Sequence, residues 1–276
     1  MLDLAIGTYA GKETGEHALL RQLLHVFTTG DVALGDCYYP SFFLMSTLMQ
    51  MGVDAVFPIH SARDCDFRKG KKLGKKDHTV QWKKPARPKW MDKATYDKFP
   101  SNIEVRELAV CTGAKGFRAQ TKTLVTTFLD ARKYTKDDLS ALYDCRWFVE
   151  ISLRSIKNTM SMDILRAKTP EMVRKEMWAH LLAYNVVRKI IAQSASQYGK
   201  IPRCLSFKCA MQLIFSFCQA GHLSATGQSY VYLLKAISCK SVGNRPGRSE
   251  PRVVKRRPKA FPKMQEPRSF YHQKAA

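Results

Sequence analysis

An α/β fold is what this sequence predicts, and three observations lead there. Val32–Asp36 and Val53–Ile59 read as short buried strands, and Tyr39–Met51 between them repeats its apolar residues at helical spacing. That strand–helix–strand rhythm makes a sheet with helices laid on it. Farther along, Ile103–Cys111 and Thr121–Leu129 are β-rich, whereas the chain from Asp137 to about Ala220 is dominated by helical patterns. With 276 residues, 45% of them hydrophobic, there is material for a real core.

Taken in order, residues 2–9 alternate loosely and are expected to form a strand, broken at Gly11-Lys12-Glu13-Thr14-Gly15. Thr14 is the candidate cap of a helix over Glu16–Phe27, whose Leu19, Leu20, Leu23, Leu24 and Phe27 share one face. Gly30 stops that helix. The next strand ends on an acid, Asp36, and the helix Tyr39–Met51 is closed by Gly52. From 60 to 120 the character changes to an all-β or loop-rich insertion. Residues 63–93 hold twelve Lys or Arg against four acids, with Trp82, Trp90 and Tyr96 interleaved and Pro85, Pro88 and Pro100 breaking helices. Aromatics among cations suit a nucleic-acid surface, because every base offers a stacking face, so Trp82 and Trp90 are candidate base-stacking residues; a solvated lysine loop is the plainer reading. The longest helix is expected from Asp137 to Met160, with acids at its positive end. Helices follow at Pro170–Gln193 and from Cys204 to about Ala220. From Lys240 the chain turns basic and Gly/Pro-interrupted, including Arg252-Val-Val-Lys-Arg-Arg-Pro-Lys259, and is expected to be extended without a partner. The organisation predicted is a core at 1–59, the basic insertion at 60–120, the rest of the core at 121–165, helices at 166–239 and a basic tail at 240–276.

Lys and Arg total 46 against 23 Asp and Glu, a net charge of +23. Such a charge opposes compaction unless a polyanion screens it, so nucleic acid is the first partner to consider, ahead of a membrane surface. The eight cysteines include no CxxC pair at zinc-site spacing, Cys204 and Cys209 read as buried thiols, and none of the seven histidines is assigned to a metal. Met1-Leu2-Asp3-Leu4 lacks the basic and apolar regions of a signal peptide, and no apolar run reaches membrane-spanning length. The expected compartment is cytosolic, with reduced thiols and no membrane partner.

Chemistry concentrates on the helix from Asp137. At 100° per residue, Tyr143, Arg146, Glu150, Arg154 and Lys157 fall within an arc of roughly 80°. A solvated face laced with i,i+4 ion pairs would look the same. The spacing Tyr-x2-Arg-x3-Glu-x6-Lys, carried by Tyr143, Arg146, Glu150 and Lys157, resembles the YREK signature of the insertion sequence 4 family of DDE transposases, and the surrounding residues 143–157 resemble that family's helix nearly throughout. Gly35-Asp36-Cys-Tyr-Tyr39 is similar to the strand end bearing the family's second catalytic Asp. Ala183-Tyr-Asn185 and the basic tail are similar to its carboxy-terminal portion. Cys37, where the family has Arg, and Asp144 depart from the pattern.

The resemblance implies a ribonuclease-H-like core in which two Asp and one Glu hold two Mg2+ ions about 3.5–4 Å apart for in-line phosphoryl displacement. It implies Asp36 and Glu150 as catalytic and metal-binding carboxylates, and Tyr143, Arg146 and Lys157 as residues that grip the cleaved DNA end. The partners implied are double-stranded DNA, both transposon ends and target, and a second copy in a homodimer on DNA, at the bacterial nucleoid. The family's first Asp lies on a strand upstream of the segment matched at residue 2, and neither Asp3 nor Asp31 has its context. The expectation is therefore a transposase lacking one carboxylate and inactive as it stands. The alternatives are a non-catalytic DNA-binding remnant that inhibits intact transposase, or a basic RNA-binding protein, which leaves the YREK spacing unexplained.

Overall fold

The computed structural model of the protein describes residues 3–8, 11, 14–60, 62–112, 120–220 and 227–242; the basic tail falls outside them. The chain opens on α1 (Glu16–Gln22), tightening into a 3-10 turn at Leu24–Val26. Then come β1 (Val32–Leu34), α2 (Phe42–Gln50) and β2 (Asp54–Pro58), the α/β rhythm anticipated above. The basic segment supplies β3 (Lys71–Gly74), β4 (Asp77–Lys83), the short α3 (Lys93–Asp97) and β5 (Asn102–Thr112). β6 (Gln120–Thr126) leads to α4 (Lys136–Asp144), α5 (Trp147–Arg154) and a π-helical turn (Ser155–Thr159). α6 (Pro170–Gln197), α7 (Phe207–Gln219) and α8 (Gly227–Ser238) follow.

The strands form one mixed sheet in the order β1-β2-β6-β5-β4-β3. Only β1 and β2 run parallel, as a strand–helix–strand crossover demands; the remaining pairs are antiparallel. The insertion thus extends the same sheet through β6. Because side chains alternate along a strand, the sheet has two apolar faces. Ala33, Ala55, Phe57, Val105 and Val125 meet Phe42, Met45 and Leu48 of α2 on one face. Val56, Leu108, Val110 and Leu124 meet Leu139 and Tyr143 of α4 on the other. A separate helical cluster joins Leu181, Tyr184 and Ile191 of α6 to Phe207 and Ala210 of α7, Leu233 and Ile237 of α8, and Ile156 of the π turn.

Several expectations need correction. Residues 3–8 form no strand, and Asp3 is instead ion-paired to His25 at 2.9 Å. Gly15, not Thr14, caps α1; the Thr14 hydroxyl donates to the Gly11 carbonyl. The helix expected over 137–160 is not uniform. Between α4 and α5, Cys145, Arg146, Phe148 and Val149 donate to the carbonyls three residues back, and the last turn opens to π geometry. Cys204 is exposed at the end of a 3-10 turn and Cys209 is half-buried, so neither is a core thiol; all eight cysteines are free. The helix α8 had no counterpart in the sequence reading. Among the described residues no helix is long and apolar enough to cross a membrane.

Candidate active site

Gly35 and Asp36 leave β1 at its carboxyl end. A Cβ on residue 35 would lie 2.7 Å from the Phe57 ring and 3.0 Å from Tyr39, so a side chain here would have to displace those rings. Asp36 closes the turn by accepting from the Tyr38 backbone N–H at 2.8 Å through Oδ1, and the residue is exposed.

Opposite stands α4, started by a capping box. Thr135 accepts from the Asp138 N–H, and the Asp138 carboxylate accepts from the Thr135 N–H and hydroxyl. This fixes the direction in which the helix delivers Tyr143, which is 5% exposed and packed into the sheet. Burial pushes the Tyr143 hydroxyl above its ordinary value; Arg146 opposes that shift, while Asp36 and Cys37 add to it. Arg146 lies at the tightened junction, its guanidinium 5.8 Å from the Tyr143 ring and its Nη2 donating to Glu150 Oε1 at 2.7 Å. Partial burial opposes the Arg146 charge, but Glu150 and Tyr143 outweigh it and hold the guanidinium above its usual value.

A cleft of about 360 Å³ runs between the carboxyl end of β1 and α5. Asp36 and Arg146 are its polar lining, and Leu24, Phe27, Val149 and Leu153 are among its apolar walls. Glu150 joins it through its ion pair with Arg146 and keeps 39% of its side chain exposed. Of the predicted residues, Asp36 and Arg146 line the cleft, Glu150 is tied to it through Arg146, and Tyr143 is packed against the sheet beside Arg146. Lys157 does not line the cleft; it is exposed on the π turn, where Ile156 is the buried residue. The five-residue hydrogen-bond spacing of that turn shifts everything beyond it off the line computed at 100° per residue.

The two tryptophans diverge. Trp82 is 4% exposed, donates from Nε1 to Glu107 at 2.9 Å and lies under the Arg63 guanidinium, so it is no stacking platform. Trp90 is 43% exposed, with Arg21 3.9 Å over its ring and Phe43 at its edge. Sequence reasoning missed a fully buried Arg106, which holds Asp77 through Nε and Nη2 at 2.8 Å each and the Tyr134 carbonyl through Nη1. It also missed a Cys65–His78–Glu107 cluster. Only strand register, His78 opposite Glu107 and Thr79 opposite Arg106, could have found them.

The site thus belongs to a mixed α/β domain, with a carboxylate at a strand end and an Arg–Glu pair on a helix across a cleft. The family model described as the Transposase DDE domain matches residues 5–186, and the chain belongs to that family. It is similar to the transposase InsG for insertion sequence element IS4 of Escherichia coli strain K12, 28% identical over 267 residues that cover 94% of this chain and 58% of that protein. It is also similar to the transposase for insertion sequence element IS421 of Escherichia coli, 29% identical over 103 residues, 37% of this chain and 28% of that one. The putative transposase InsL for element IS186A of strain K12 matches to the same extent. The chain thus spans little more than half the length of InsG.

Proposed function

We propose that this chain carries the catalytic-core portion of an insertion-sequence transposase, a metal-dependent DNA strand-transferase with a ribonuclease-H-like core. The observation that carries the reading is the cleft at the carboxyl end of β1, bordered by Asp36 and by Arg146, which is ion-paired to Glu150. Asp36 and Glu150 are the metal-binding carboxylates. Their donor set suits the role, since both are hard oxygen donors reachable from solvent, which Mg2+ prefers to sulfur or imidazole. The chemistry that a pair of such ions supplies when bound is a clamp on the attacking and leaving oxygens of an in-line displacement.

The chain's own residues orient and neutralise. Arg146 offers a guanidinium to a phosphate once Glu150 turns toward a cation, and Lys157 adds a point charge farther along the backbone. Tyr143, wedged into the sheet, keeps the Arg146 end of the helix fixed against Asp36. The partners are transposon-end and target DNA, bound by a homodimer at the nucleoid.

β1 pairs with β2 and stands at the edge of the sheet, and α5 exposes Trp147, Phe148, Val149 and Ile151. Among the described residues no strand pairs with the outer edge of β1, and such an edge beside exposed apolar side chains is where a further strand of the core fits. In this reading that strand brings the third carboxylate, so residues 1–276 alone bind DNA without cleaving it and can act as an inhibitor of the intact enzyme. The test is a nicking assay on end-containing DNA with Mg2+, comparing this chain with a version extended upstream through a strand ending in Asp. Cleavage by the extended version only, lost in Glu150→Gln, is expected. Equal nicking by the short chain, abolished by the same substitution, would mean that the first carboxylate has been misplaced.

A further inference from the structure

On the α2 side of the sheet, well along from the cleft, three dissimilar ligand atoms converge in the basic segment. His78 of β4 and Glu107 of β5 are directly opposed across the strands and are 1% and 4% exposed. Cys65 reaches over them from the loop after β2. Its Sγ lies 3.0 Å from Glu107 Oε2 and 3.8 Å from His78 Nε2, and the two latter atoms are 3.0 Å apart.

The surroundings orient each group for a common point. A carbonyl can only accept, so the 2.6 Å contact between His78 Nδ1 and the Lys69 carbonyl places a proton on Nδ1 and aims Nε2 into the cluster, where it is hydrogen-bonded to Glu107 Oε2 at 3.0 Å. Gly70 makes that contact possible: its φ is +74°, and a Cβ there would sit 2.0 Å from the Thr79 carbonyl oxygen, so only glycine lets the Lys69 carbonyl come down onto β4. Trp82 Nε1 holds the other carboxylate oxygen, Oε1, at 2.9 Å, directing Oε2 inward. Backbone and indole partners of this kind are what fix ligand orientation at metal sites.

We propose that Cys65, His78 and Glu107 form a zinc site of three protein ligands, separate from the Asp36–Glu150 cleft. Tetrahedral coordination at ordinary Zn–S, Zn–N and Zn–O lengths puts ligand atoms about 3.4–3.6 Å apart, so the observed 3.0–3.8 Å spacings need shifts of roughly half an ångström. A thiolate with an imidazole suits zinc and is a poor donor set for Mg2+, so the two sites do not compete for one ion. The fourth position opens to a cavity of about 210 Å³ bordered by Asp64 and Asp66, which leaves room for a water. Without metal, burial and then Glu107 keep the Cys65 thiol protonated, and it donates to that carboxylate. On binding, the S–H bond breaks, the hydrogen shared by His78 Nε2 and Glu107 Oε2 is displaced as well, both protons leave to solvent, and sulfur, nitrogen and oxygen each donate a pair to the ion. The ion pins the 62–70 loop to β4 and β5.

The full chain, stripped with chelator and then dialysed, is titrated with Co2+ as a spectroscopic stand-in and separately loaded with Zn2+ for elemental analysis. Expected are one tight ion per chain, a thiolate-to-cobalt charge-transfer band and a raised Tm. All three should be lost in Cys65→Ser, whose loop position spares the fold as judged by circular dichroism. His78→Asn and Glu107→Gln should weaken cobalt binding at least tenfold if they fold. Absence of a tight ion in the parent chain, or a charge-transfer band unchanged in Cys65→Ser, overturns the assignment and leaves a hydrogen-bonded polar cluster.

Discussion

Replacing Asp77 by Ala tests how the sheet and the active-site helix are held in register. Arg106 has no exposed surface, and Asp77 satisfies it through two 2.8 Å hydrogen bonds in a bidentate fork. The remaining arm, Nη1, donates to the Tyr134 carbonyl just before α4, so the pair ties β4, β5 and the start of the Tyr143 helix together. Lys136, at the first turn of α4, depends on the same carboxylate: burial lowers its pKa and Asp77 opposes the shift. Removing one partner of a buried pair strands the other charge, at a cost of about 3–5 kcal/mol. For a chain of this size each kcal/mol lowers Tm by about 2–4 °C, so Asp77→Ala should melt roughly 6–20 °C below the parent. The double variant Asp77→Leu/Arg106→Met removes both charges together and should recover most of that loss, since an apolar replacement of a buried pair is often neutral or stabilising. Urea and thermal unfolding followed by circular dichroism read both quantities. An Asp77→Ala variant within about 1 kcal/mol of the parent, the range of an exposed pair, would refute the burial of this charge.

Two further outcomes follow from charge. Hydrogen bonds from the Thr135 hydroxyl and then its N–H hold the Asp138 carboxyl below the ordinary 3.8. A depressed folded value gives stability that is complete above the unfolded pKa and lost as pH falls through the folded one. The stability difference between the parent and Asp138→Asn, measured by urea unfolding, should therefore shrink below about pH 4; a difference that is constant with pH would contradict the capping box. Duplex DNA affinity should fall steeply with salt, by about 10³-fold or more between 50 and 200 mM if six or more phosphates are contacted. Fluorescence anisotropy at several salt concentrations checks this, and a flat profile would argue against a phosphate-dominated surface.

The legible parts of the fold were those with local causes. β1, α2 and β2 follow from apolar period and from Gly30 and Gly52, both at positive φ. α6 starts at Pro170 behind a Thr169 cap, as its sequence requires. What local pattern could not give was register. His78 and Glu107, or Asp77 and Arg106, are 29 residues apart, and each looks like an ordinary charged or polar residue in a lysine-rich stretch until β4 and β5 are paired. The same pairing turns Trp82 inward and leaves Trp90 outside. α1 fell short of its predicted end because the leucine face continues into a 3-10 turn that apolar spacing cannot distinguish.

The polar stripe on 143–157 shows where helical spacing suffices and where it does not. A solvated ion-pair face would leave its tyrosine in water, yet Tyr143 is buried against β1, β2, β5 and β6, and the Arg146–Glu150 pair continues from it. Thirteen residues on, Ile156 is buried in the other core, among α6, α7 and α8. The two side chains serve different cores, so one helical segment fastens the sheet through Tyr143 and the helical bundle through Ile156. The 3-10 tightening at Cys145–Val149 and the π turn at Ser155–Thr159 adjust twist in opposite senses at the two ends of α5. An irregular helix is therefore what two separate cores demand of a continuous segment. Its middle turn is left facing the cleft, with Arg146 and Glu150 anchored from both ends and Asp36 opposite.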